Sequence, residues 1–203
     1  KVPIDTAART LITMPAMAPA DNASSLPDAA GGTYIVCVGG DTSGRTSTDT
    51  REYAFYLESG VNYYGGFDGT ETSRSERDFR TNVTILSGDI GTANSSSDNC
   101  YHVLLSINES TAHTLDGFTI TDGYANGGTN ATVNGQSGIW ANNGGAMYTY
   151  VSTMTISNCI FDDNYGQYGG AIKDVGSPIT YSNTVFANNE AFNHGGAFDK
   201  SYG

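Results

Sequence analysis

Four aspartates, Asp116, Asp122, Asp162 and Asp163, are where catalysis in this chain would have to begin. Glycosidic cleavage needs two carboxylates about 5–9 Å apart on neighbouring elements. An eliminating enzyme needs an acidic cluster with a Lys or Arg base, and only Lys173 and Lys200 offer themselves. Without further basic partners the four read as solvated turn carboxylates, and no catalytic residue is assigned. The acidic turns at Asp89 and at Asp162-Asp163-Asn164 carry the oxygen ligands that calcium takes. Neither EF-hand nor GGxGxDxUx spacing is present, so no metal site and no cofactor is expected, with calcium the one candidate.

Other chemistry-bearing types are similarly isolated. His102, His113 and His194 lack metal-ligand spacing, and His194, ahead of a Gly-Gly turn, is expected to be exposed. No G-x-S-x-G accompanies the serines, and no glycine pair has the G-x-x-x-x-G-K-[ST] form that cradles phosphate. Arg74, Arg77 and Arg80 interleave with Glu71, Glu76 and Asp78. They form a sugar- or anion-facing patch or, the favoured expectation, a salt-bridged loop. Tyr124, Tyr148, Tyr150, Tyr165 and Tyr168 are candidates to stack on sugars or on a neighbouring chain, or to be partly buried rim residues.

The elements that position these residues must be short. Leu, Ile, Val and Phe are 37 of 203 residues and charged residues 15%, while Gly alone supplies 26. An ordinary soluble domain has roughly 25% charged residues. The composition suits tight turns and short strands better than helices. A net charge of -12 with 9 Lys+Arg excludes nucleic acid as a partner. No uncharged apolar run is long enough for a membrane span. Leu11 to Ala20 (LITMPAMAPA) is similar to a signal-peptide core but is broken by two prolines. Cys37, Cys100 and Cys159 are too far apart for a zinc site, and their odd number leaves one thiol free or paired between chains. Cys37 and Cys159 read as small buried hydrophobes. Sequons at Asn22, Asn82, Asn94, Asn108 and Asn130 permit glycosylation.

The C-terminal third repeats itself. Ile156-Ser-Asn-Cys159-Ile-Phe161-Asp-Asp-Asn164 aligns with Tyr181-Ser-Asn-Thr184-Val-Phe186-Ala-Asn-Asn189 at an offset of 25. Gly-Gly-Ala recurs at 144–146, 169–171 and 195–197, followed by Met147, Ile172 or Phe198. Leu115-Asp-Gly-Phe118-Thr-Ile120-Thr-Asp-Gly123 fits the same frame at an offset of 41, so 16 extra residues fall within 124–143, read as a surface loop. About 25 residues is too few for a helical-hairpin repeat and matches three short strands joined by turns. Stacked coils then bury one face of each strand in a narrow core.

The expected fold is all-β: a right-handed parallel β-helix, a solenoid with coils of about 25 residues, over 31–203. An irregular N-terminal segment, an arm or cap, precedes it over 1–30. Phe161, Phe186, Ile172 and Phe198 form the core stack, Ile156 and Tyr181 joining it. Gly144, Gly145, Gly169, Gly170, Gly195 and Gly196 make the repeat turns. Asn164 over Asn189 is an asparagine ladder. Upstream, strands are expected at 33–38, 54–57, 61–64, 83–86 and 102–107.

FDDN (161–164), FANN (186–189), GGAM, GGAI and GGAF together resemble the GGA[ILV]/FxxN repeats of chlamydial polymorphic outer-membrane proteins. They also resemble the wider class of bacterial surface proteins with right-handed parallel β-helix repeats. The stretch from Gly60 to Gly91, followed by LDGFTITDG (115–123), is similar to the first coils of such proteins, and residues 1–30 are not covered. The resemblance implies an extracellular or cell-surface, adhesive or structural protein, and it supplies no catalytic residue. The expected function is a non-catalytic surface fibre, filament or adhesin subunit. Its partners would be further copies or the continuation of a longer chain, because the sequence stops at Gly203 within a repeat, and a carbohydrate or cell-surface ligand. The alternatives are a polysaccharide lyase or hydrolase, or a glycan-binding module, on the same fold.

Overall fold

The structure, a computed structural model, describes residues 9–11, 24–25, 32–35, 50–68 and 70–202. It is all-β with parallel sheets. Sheet I has the order Arg9–Leu11, Gly32–Ile35, Thr84–Ser87, Phe118–Thr121, Ile160–Asp162, Val185–Ala187. Sheet II runs Ser24–Ser25, Asn62–Tyr64, His113–Asp116, Met154–Ser157, Ile179–Ser182. Sheet III runs Phe55–Tyr56, Leu104–Ile107, Met147–Tyr150, Ile172–Val175, Phe198–Ser201. A three-stranded sheet IV joins Tyr124–Ala125, Tyr165–Tyr168 and Glu190–His194. Within each sheet the order follows the chain, and the chain visits sheets II, I and III in rotation; one such passage is called a circuit below. Within the segment expected to be irregular, Arg9–Leu11 and Ser24–Ser25 belong to sheets I and II.

The strands form because apolar residues alternate. His113–Asp116, Met154–Ser157 and Ile172–Val175 each bury every second residue. Parallel register then stacks like upon like: Leu115, Ile156 and Tyr181 in sheet II, Ile120, Phe161 and Phe186 in sheet I, and Leu104, Met147, Ile172 and Phe198 in sheet III. The inward faces of all three sheets meet in one core, with Ile156, Phe161 and Ile172 fully buried and Phe186 and Phe198 packed against it. The rings of Phe161 and Phe186 stack 5.0 Å apart, 11° from parallel. Each such side chain stabilises by about 1.5–3 kcal/mol through burial, so few are needed per circuit.

The corners explain the Asn, Asp and Gly content. Left-handed residues follow sheet II at Asn158 and Asn183, sheet I at Asp122, Asp163 and Asn188, and sheet III at Asn108 and Val151. Asn and Asp adopt this conformation at low cost. The Gly-Gly pairs divide their labour. Gly144, Gly169 and Gly195 have φ of 68°, 69° and 68°, whereas positive φ does not extend to the second glycine. A Cβ on Gly145 or Gly170 would overlap carbonyl oxygens of the next circuit, which lies too close for any side chain.

The 16-residue insertion, expected to be a loop, contains an antiparallel hairpin, Asn130–Val133 with Gln136–Trp140. Its turn is Asn134-Gly135, with φ of 44° and 75°, the sign that a two-residue hairpin turn requires. Val133 and Ile139 pack on Leu105, Ile107 and Tyr148 of sheet III, away from the main core.

Candidate functional site

Side chains that bridge circuits are the most developed constellation. Asn164, 1% exposed, is bonded on all its polar atoms. Its Oδ1 accepts from Gly123 N at 3.0 Å, and its Nδ2 donates to Ile120 O, Asp162 O and Asn189 Oδ1, each at 3.0 Å. Asn189 Oδ1 also accepts from Asn164 N, and Asn189 Nδ2 donates to Phe161 O at 2.8 Å. A second file lies at the corner after sheet II: Asn183 Nδ2 donates to Asn158 Oδ1 at 2.7 Å, and Asn158 Nδ2 to Asp116 Oδ1 at 2.9 Å. Arg77 closes it with a 2.7 Å ion pair to Asp116. The repeated Ser-Asn dipeptide at 157–158 and 182–183 carried the signal for this file.

Three of the four carboxylates singled out for catalysis are bound into this framework, and the fourth, Asp163, is exposed at a left-handed corner. Asp116 is held by Arg77 and Asn158, Asp162 accepts from Asn188 Nδ2 at 2.8 Å, and Asp122 accepts from Ser87 Oγ at 2.8 Å. Burial, and then the charges of Asp89 and Asp163, raise the Asp122 pKa above the ordinary carboxylate value. Asp89 is buried and accepts from Asn94 N at 3.0 Å. Lys173 pairs with Asp199 at 2.7 Å and Lys200 with Asp174 at 3.1 Å, so neither serves the four aspartates. Among the described residues no three His, Cys, Asp or Glu side chains converge as metal ligands.

Asp174 belongs to an inward row not anticipated from the sequence. Ser106, Thr149, Asp174 and Lys200 share one register line of sheet III. Thr149 Oγ1 and Ser177 N donate to Asp174 Oδ1, at 3.1 and 3.0 Å, and Asp174 is fully buried. At the same corner His113 Nε2 lies 3.3 Å from Ser106 Oγ, a Ser–His contact sealed in the interior, with Thr111 O rather than a carboxylate at Nδ1. Burial lowers the pKa of His113. His102 is buried with Nδ1 3.0 Å from Gly144 O, and His194 is exposed beside Tyr168.

The tyrosines part company. Tyr148 is 4% exposed beneath the hairpin, which removes it from the candidate surface stack. Tyr124 and Tyr165 stack on each other at 4.6 Å in sheet IV, and Tyr150 and Tyr168 are half-buried. Burial pushes the Tyr148 hydroxyl up to about 12.

Among the described residues Arg74 and Arg80 form no ion pair with the loop's own carboxylates. Glu71 Oε1 accepts from Asp68 N, Glu76 Oε2 from Thr72 N, and Asp78 Oδ1 from Arg80 N. The guanidinium of Arg74 instead stacks on Tyr64 at 4.4 Å and that of Arg80 on Phe79 at 5.8 Å. Acidic side chains with backbone N–H groups two to four residues away along the chain bond locally first.

Cys159 is free and buried, its thiol pushed up to about 12 by burial, whereas Cys100 is disulfide-bonded. Cys37 and the sequon at Asn22 lie outside the described residues. Asn94, Asn108 and Asn130 are exposed and Asn82 is half-buried. Among the described residues no helix is long and apolar enough to cross a membrane. No protein-family model, curated protein or solved structure matches the chain.

Proposed function

We propose that the three main sheets wrap one core as a right-handed parallel β-helix, and that the chain is a non-catalytic extracellular module with a structural or adhesive role. The observation that carries this reading is the bridging of successive circuits by side chains at the repeat spacing, Asn164 with Asn189 and Asn158 with Asn183. Such bridges serve a rigid stack and leave Asp116, Asp122 and Asp162 committed as structural acceptors. The disulfide at Cys100 accords with an oxidising, extracellular setting. Ile179–Ser182, Val185–Ala187, Glu190–His194 and Phe198–Ser201 are edge strands of the four parallel sheets, and they offer a common register to further repeats or to a neighbouring copy. Extension of that kind builds the stalk of an adhesin or a surface filament. No cofactor is required by this role.

Electron microscopy of the purified protein, run beside a polysaccharide depolymerisation assay, tests the proposal. Filaments, or stalks with the strand repeat along their length and no turnover, are the expected result. Discrete monomers that cleave a polysaccharide would replace it with the carbohydrate-active alternative.

A further inference from the structure

In the segment after sheet II strand Asn62–Tyr64 lies a groove of about 530 Å³ lined by Ser73, Arg74, Ser75, Arg77 and Phe79. Its volume falls in the range of about 300–1,000 Å³ typical of small-molecule sites. Its floor is fixed to the framework. Gly66, at φ 95°, lets the backbone of Phe79 lie so close that a Cβ would stand 2.5 Å from Phe79 Cα, and Asp78 N donates to Gly66 O at 2.8 Å. Arg77 Nη1 donates to Gly65 O at 2.9 Å and to Asp116 O at 3.2 Å, while Nη2 pairs with Asp116. Arg77 is therefore spent on anchoring the loop.

Arg74 is not. Its guanidinium is held over the Tyr64 ring, and among the described residues no carboxylate pairs with it. The nearby acids, Glu71, Glu76 and Asp78, are bonded to the loop's own N–H and hydroxyl groups. Beside Arg74 the hydroxyls of Ser73 and Ser75 are 2.6 Å apart, so one proton lies between them and the other is left to donate outward. Phe79 adds an apolar wall. A planar fork of donors, a hydroxyl pair and an aromatic ring suit a ligand with one oxyanion and one face of C–H groups.

We propose that this groove binds an acidic saccharide, a sugar ring that carries one carboxylate or sulfate. The anionic group sits on Arg74, the ring hydroxyls on Ser73 and Ser75, and the C–H groups against the part of the Phe79 ring that Arg77 and Arg80, 5.7 and 5.8 Å from its centre, leave uncovered. A single negative charge fits better than a polyanion, because the chain as a whole carries -12 and repels highly charged ligands. The inference identifies a ligand site for an adhesive module and does not depend on end-to-end association, so titration of dispersed protein separates it from the filament proposal.

The test is calorimetric titration of the full chain with four probes: an oligosaccharide with one uronic-acid residue, its singly sulfated neutral-sugar counterpart, the uncharged oligosaccharide, and sodium sulfate. Parent, Arg74→Gln, Arg74→Lys and Ser75→Ala proteins are compared, with circular dichroism to verify that each is folded. Arg74 is exposed and Ser75 is exposed, so neither change removes core packing. The expected result is saturable binding of one acidic oligosaccharide, at least tenfold weaker binding of the uncharged one, and at least a tenfold loss with Arg74→Gln. Arg74→Lys, which keeps charge but loses the fork and the stack, loses less than Gln but does not match the parent. Which acidic probe binds identifies carboxylate or sulfate as the recognised group. Equal binding of charged and uncharged sugars, no binding of any sugar, no effect of Arg74→Gln, or sulfate binding as tightly as the sugars would each overturn the proposal.

Discussion

Replacing Asn164 by Ala tests the framework at its most connected residue. Two buried backbone groups and one half-buried one lose a partner: Gly123 N–H and Ile120 C=O, then Asp162 C=O, each bonded at 3.0 Å. An unsatisfied buried group costs about 1–3 kcal/mol, the carbonyls less than the N–H because each has a second lone pair. The sum, after some relaxation, is a loss of about 3 kcal/mol, read as a shift of the urea unfolding midpoint at unchanged slope. Asn164→Asp sharpens the test, since it keeps the shape and reverses the chemistry. It retains an acceptor for Gly123 N but turns a carboxylate oxygen toward Ile120 O, Asp162 O and Asn189 Oδ1, so at neutral pH it destabilises more than Ala. Asn189→Ala, at a half-buried site, costs about 1 kcal/mol. Hydrogen exchange at the Gly123 amide supplies a local readout and speeds up in the Ala variant, which removes its acceptor. A loss below about 1 kcal/mol for Ala, or an Asp variant milder than Ala, would refute the argument that hydrogen bonding rather than space filling fixes this residue.

Three further outcomes follow from the same geometry. Asp122 has a raised pKa in the fold, so its contribution to stability is full below the unfolded carboxylate value of about 3.9 and is lost as pH rises through the folded value. Asp122→Asn, which keeps an acceptor for Ser87 and tolerates φ 62°, is therefore more stable than the parent at neutral pH, with the gap closing near pH 3 in a pH series of thermal melts. Lys200→Met leaves the fully buried Asp174 without its countercharge and costs about 2 kcal/mol, a figure reduced because the Lys200 side chain is 39% exposed. Adding Asp174→Thr, the residue type at Thr149 one circuit away, recovers most of that loss in a double-mutant cycle. Val151 sits at φ 45° with 48% exposure, so Val151→Asn stabilises by about 1 kcal/mol in chemical denaturation, whereas Val151→Gly is near neutral because lost side-chain contacts and unfolded-chain entropy offset the relief.

Much of the fold was legible because its register equals its repeat. An offset of 25 in sequence is one strand of displacement in each parallel sheet, so Phe161 above Phe186 and Asn164 above Asn189 could be placed by alignment alone. Lines in which the residue type changes from circuit to circuit escaped notice. Ser106, Thr149, Asp174 and Lys200 occupy one such line, and nothing in their identities marks them as partners. The hairpin at 130–140 was announced by Asn134-Gly135 between Val133 and Gln136, a turn signal that the loop-like Gly and Asn content around it obscured. Tyr148, open in the sequence between a surface stack and a partly buried rim, is buried because the hairpin covers it. The arginine groove is half legible: the charge pattern is plain in the sequence, but a linear sequence does not tell whether a carboxylate answers an arginine or a neighbouring amide.

The parallel pairing has a mechanical consequence. Every inter-strand hydrogen bond in sheets I to IV runs along the direction in which circuits are added, and the Asn bridges run the same way. In the β-helix proposed above, tension along that direction loads the sheets side by side, so separating two circuits means breaking the bonds of several sheets at once rather than unzipping one ladder. Reach is correspondingly slow to accumulate, since each circuit of roughly 25 residues advances the stack by one strand spacing, about 4.8 Å. A protein built this way gains stiffness under load at the expense of length, as a spacer that must hold its bearing does.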